Sequence, residues 1–167
     1  MATPLQIYLT DHLAGADAAL DLLGRLAEEH EGELGRFFHV MRSEVKGERQ
    51  QLESLMERFG YERSTIRSAG ARLAEKVARV KLVGDDERGG ALHLLAALDM
   101  LQSAVQGKRG LWRALEAAAS IDPELAVLDY GRLARLASEQ LDRLDAIRLR
   151  TAPTALSTDE QATEARD

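Results

Sequence analysis

The chain contains no cysteine in 167 residues. That removes disulfide scaffolds, thiolate zinc sites, thiol nucleophiles and thiol redox switches, because each needs the missing sulfur. Proline is scarce at 3 residues, aromatic residues make up 4%, and Val and Ile together number only 11. Strands draw on β-branched and aromatic residues, so little material is left for a sheet. No uninterrupted apolar run approaches the length of a membrane span, and no basic stretch precedes an apolar one at the N-terminus. Neither a signal peptide nor contact with a membrane is therefore expected, and the cytoplasm is the expected compartment. The patterns GxxxxGK[ST], GxGxxG, GxSxG and HExxH are all absent, which argues against the phosphate-loop, dinucleotide, serine-hydrolase and zinc-protease designs.

Leucine and alanine fill the space left by these absences, with 53 residues between them. Both lose little on helix formation, so the expected class is all-α. The net charge of −6 argues against a polyanion-binding protein. Half of that charge sits in residues 151–167, where Asp159, Glu160, Glu164 and Asp167 face only Arg166. This stretch loses helical periodicity and reads as a flexible acidic tail behind a single domain at residues 1–150.

Periodicity divides that domain into helices. Thr3-Pro4 is a start signal, with Thr as N-cap and Pro at the first helical position, and an apolar stripe continues to about residue 30. A second helix is expected over residues 34–59, with Phe37, Met41, Val45, Leu52, Leu55 and Phe59 on one stripe and Gly60 as its C′ residue. The short link between the two dictates an antiparallel hairpin. Residues 63–83 predict a shorter crossover helix with a basic outer face of Arg67, Arg72, Lys76, Arg79 and Lys81. A long helix over 91–119 follows, then a last one that begins at Asp122-Pro123 and runs to about 149. Two hairpins joined by a crossover describe a four-helix bundle. The basic face of the crossover reads as a solvated surface, and nucleic acid is not an expected partner. Pairing of two copies through an apolar helix face, a homodimer, is the expected assembly.

Any chemistry in such a bundle belongs to polar residues on the inward stripes. Glu44 and Glu48 interrupt the stripe of the second helix one turn apart. His12 occupies a stripe position in the first, Asp99 stands beside Leu98 in the fourth, and Gln140 falls between Ala137 and Leu144 in the last. A buried carboxylate requires a proton, a cation or several hydrogen bonds. Two accounts meet that requirement. One is a single metal site built from His12, Glu44, Glu48 and Asp99, an oxygen-and-imidazole set suited to iron, manganese or zinc. The other is a metal-free polar layer that includes Gln140 and fixes helix register. The segment Gly107-Lys108-Arg109-Gly110 places two glycines inside a helix. They point to close helix approach, with Lys108 at the surface or paired to an acid; alternatively, Lys108 neutralises a buried carboxylate.

The phrases YLTDHLAGADAALDLL, LAEEHEG, EVKGERQQLESLMERFG, VQGKRGLW and SEQLDRLDAIRLR make residues 5–150 resemble uncharacterised bacterial helical proteins of the ferritin-like superfamily. The resemblance implies a bundle of two antiparallel hairpins with a crossover. Metal-binding members of that superfamily carry a Glu on each of two helices and Glu-x-x-His on the other two. This chain departs from that pattern: the residue three after Glu44 is Gly47, and the residue three after Glu139 is Asp142. The di-metal ligand set is incomplete, and the resemblance leads to the expectation of a non-enzymatic binding or structural protein whose small-molecule ligand the sequence does not name. A metal-binding protein or metal-dependent oxidoreductase is the alternative.

Overall fold

The computed structural model describes residues 1–61 and 89–158. The expected crossover helix at 63–83, with its basic face, and residues 159–167 of the acidic tail lie outside the described residues. Four α-helices make up the fold of the described residues, with no strand: α1 Pro4–Glu29, α2 Gly32–Arg58, α3 Gly89–Ala119 and α4 Tyr130–Ala155. None of these helices is long and apolar enough to cross a membrane.

The local signals act where the sequence placed them, with three shifts. Thr3 Oγ1 accepts from the Gln6 amide at 3.1 Å and starts α1. Only His30 and Glu31 separate α1 from α2, and Gly32 takes the positive φ of 65° that the tight reversal needs. Gly60, at φ 71°, ends α2 as its C′ residue. The first shift is in the stripe of α2, where Phe38 is fully buried while Phe37 is only partly so. The second concerns Asp122-Pro123, which opens a single turn of 3₁₀ helix, Pro123–Leu125, rather than the last long helix. That helix starts at Tyr130, with Asp129 Oδ1 accepting from the Arg132 amide at 2.8 Å. The Tyr130 hydroxyl donates to the Leu125 carbonyl at 2.7 Å and holds the intervening loop against the helix start. The third shift is at the C-terminal end, where α4 carries Pro153 in its last turn and continues to Ala155, past the expected end near 149. A proline this near a helix end removes one amide bond without a following run of helix to disrupt.

Directions follow from which ends meet. Leu9 and Leu13 of α1 pack with Leu111 and Leu115 of α3, and Glu29, at the other end of α1, lies 3.7 Å from His93. These helices are therefore antiparallel. α2 runs parallel to α3: Phe38 and Met41 pack with Leu94 and Leu98, while Leu55 and Met56 pack with Leu111 and Leu115. α4 returns antiparallel to α3, with Gln102 donating to Asp145 at 3.2 Å near one end and Trp112 stacked on Tyr130 near the other. The first described stretch ends at Tyr61, whose hydroxyl lies 3.0 Å from Thr3 Oγ1, and the second begins at Gly89, close to the Glu29 end.

The apolar interior forms two clusters. One contains Leu22, Phe38, Met41, Leu98, Leu101 and Leu144, and the other contains Leu9, Leu13, Leu55, Trp112, Leu115 and Leu133. Between Val45 and Leu52 on α2, between Val105 and Leu111 on α3, and between Ala137 and Leu144 on α4, the stripe is interrupted at one height. The polar layer of the bundle lies at that height.

Candidate functional site

Three helices contribute to the layer, α2 and α4 each by two side chains about one turn apart and α3 by Lys108 alone. Residues four apart on a helix share a face, so Glu44 and Glu48 of α2 both project toward α4. There Gln140 donates from Nε2 to Glu44 Oε2 at 3.1 Å and to Glu48 Oε1 at 3.0 Å. From α3 the Lys108 ammonium donates to both Glu48 Oε2 and Gln140 Oε1. Arg143, one turn beyond Gln140, grips Glu44 with two parallel hydrogen bonds, Nη1 to Oε1 at 3.1 Å and Nη2 to Oε2 at 2.5 Å. Glu48 and Gln140 are 6% and 1% exposed. Two carboxylates are thus matched by two cations, and every polar group of Gln140 is used as donor or acceptor.

Burial pushes the Glu44 carboxyl up, but the hydrogen bonds from Arg143 and Gln140, with the charges of Arg143 and Lys108, outweigh it and hold the group below the ordinary carboxylate range. Burial also dominates at Lys108 and pulls its ammonium below the ordinary lysine range against the opposing pull of Glu48.

The structure does not gather the four residues proposed as metal ligands. Glu44 and Glu48 meet at Gln140. Asp99 is exposed on the outer face of α3, where Arg148 Nε donates to it. His12 stands on α1 against Tyr8, ring centroids 4.7 Å apart and edge-on. Among the described residues, no three His, Asp or Glu side chains are placed to hold a metal. The register explains why: Asp99 lies nine residues before Lys108 on α3, more than two turns away from the layer. The glycines flanking Lys108 do not mark close approach either, since a Cβ at Gly107 or Gly110 would meet nothing within 4 Å.

Beside the layer lies a partly open cavity of about 180 Å³ between α1, α2 and α3. Glu48 and Lys108 line one side, Trp112 an adjoining stretch, and His12, Gly15 and Ala16 the α1 wall. Gly15, Ala16 and Ala19 are small, Asp11 and His12 complete the α1 wall, and Asp17 accepts from Arg49 Nε at 2.5 Å. The sequence reading missed Arg143 and this run, Gly15-Ala16-Asp17-Ala18-Ala19. The run was a legible signal, because small side chains opposite a polar layer leave space unfilled.

The His12 imidazole is lowered from its ordinary value of 6.5 by burial, with Asp11 opposing. A lowered histidine takes up its proton more readily in the unfolded chain, so its contribution is complete above about 6.5 and is lost as the pH falls through the folded value. The melting temperature of the wild type should therefore fall on acidification below that point, and His12→Gln should flatten this limb. Melts followed by circular dichroism across the range check it, and an identical acid limb in the variant would refute the assignment.

Compared with protein-family models, curated proteins and solved structures, the chain gives no match.

Proposed function

We propose that the protein is a ferritin-like bundle that acts as a non-enzymatic binding protein, with the mid-height layer closed by its own cations instead of by metal. The reading rests above all on the placement of Lys108, whose ammonium lies between Glu48 and Gln140. A carboxylate centre that holds divalent ions keeps negative charge in excess, whereas Glu44 and Glu48 here are balanced by Arg143 and Lys108. The residues present do not fit a di-metal centre, and no reaction step is assigned to one. The ferritin-like arrangement is supported by helix direction, because α2 and α3 run parallel and the chain between them starts and finishes at opposite ends.

Elemental analysis of protein purified without chelator tests the proposal. Wild type and Glu48→Gln should both contain only substoichiometric iron, manganese and zinc. One equivalent of any of these in the wild type that disappears in Glu48→Gln would overturn it and favour the metal-dependent alternative.

A further inference from the structure

An open groove of about 460 Å³ separates α2 from α4 at the end of the bundle where α2 begins. Leu34 and Phe37 of α2 and Ala146 and Ile147 of α4 supply its apolar lining. Thr151 also lines it, with its hydroxyl donating to the Ile147 carbonyl at 2.9 Å. The charged lining residues are Glu33, Arg143 and Arg150. Arg143 is committed to Glu44 within the chain. Glu33 and Arg150 are exposed and have no ion pair among the described residues. Val40, three residues after Phe37 and seven after Glu33, continues the same face of α2 and is 52% exposed.

One acid and one base thus stand at the same height on two antiparallel helices, either side of exposed apolar surface. A partner carrying a single sign of charge would attract one and repel the other. A second copy of the chain satisfies both. A two-fold axis parallel to the helices lays α2 of each copy over α4 of the other, so Glu33 faces the partner's Arg150 and Arg150 faces the partner's Glu33. The same operation sets Phe37 and Val40 against the partner's Ala146. We propose that this face of α2 and α4 is the contact of a two-fold homodimer, closed by reciprocal ion pairs between Glu33 and Arg150 of the two copies. The contact goes beyond the metal-free reading of the polar layer and is judged separately from it.

Sedimentation velocity of the full chain at micromolar to millimolar concentration tests it. Wild type should pass from one 18.4 kDa chain to two as concentration rises, less readily at high salt, which screens exposed pairs. Glu33→Arg makes both charges positive, and Arg150→Glu makes both negative. Each variant alone should dimerise about tenfold or more weakly than wild type, because both reciprocal contacts become like-charged. An equimolar mixture of the two should recover the dimer, since a positive face then meets a negative one. Val40→Lys, at an exposed helix position that suits lysine, should also remain monomeric. Circular dichroism should show wild-type helix content in all three variants, which break no ion pair within the described chain. A wild type that stays monomeric throughout overturns the proposal. So do single reversals or Val40→Lys that dimerise like wild type, or a mixture that associates no better than its components. Should either reversal fail to fold, wild type and Val40→Lys decide.

Discussion

Lys108→Met should destabilise the protein by about 3–5 kcal/mol, the usual cost of removing one partner from a buried ion pair. Glu48 would keep only Gln140 as a donor while remaining 6% exposed. Adding Glu48→Leu should restore stability to the wild-type level or above it, because replacing both members of a buried pair with apolar groups is often neutral or stabilising. Urea unfolding followed by circular dichroism, with a double-mutant cycle on the four proteins, measures the coupling. A Lys108→Met protein within about 1 kcal/mol of wild type would mean that the pair is solvated and the layer is not a buried network.

Gly35→Ala should be nearly as damaging for a steric reason. A Cβ on Gly35 would stand 2.1 Å from the His30 carbonyl oxygen and 3.7 Å from that of Ala27. Overpacking usually costs about 1–3 kcal/mol when side chains can adjust. Here the obstacle is backbone in the two-residue reversal between α1 and α2, so the expected loss is about 3 kcal/mol or more. Gly47→Ala is the matched control, since its Cβ meets nothing within 4 Å. It should stabilise by about 0.5–1 kcal/mol through helix propensity and the entropy of the unfolded chain. Melting temperatures of the pair should therefore move in opposite directions, and a Gly35→Ala protein as stable as wild type would show that the reversal can relax.

These two variants also mark where residue patterns were informative. The all-α class, the first hairpin and the caps at Thr3 and Gly60 were legible because they depend on composition and on groups a few residues apart. Glu44, Glu48 and Gln140 were legible as polar breaks because helical periodicity assigns a face. Lys108 was legible as a cation able to neutralise a buried carboxylate, but which cation meets which carboxylate was not. Lys108 lies 60 residues from Glu48, and Arg143 lies 99 from Glu44, and no local rule ties such positions together. Asp99 illustrates the limit most clearly: periodicity placed it near an inward face, yet its height along α3 and the proximity of Arg148 put it in an outer ion pair. Phe38 and Phe37 differ by one residue, and thus by about 100° around the helix, which the stripe alone did not resolve.

From residue types and their spacing alone came a sulfur-free, helical, mildly acidic domain with unusual carboxylates on its inward stripes. Packing settled which cation meets which carboxylate, that the layer is neutral, and that small residues on α1 leave a cavity beside Trp112. The division has a physical cause: helix formation and capping are local equilibria of the chain, whereas neutralising a buried charge or leaving a space unfilled depends on the relative height of helices far apart in sequence.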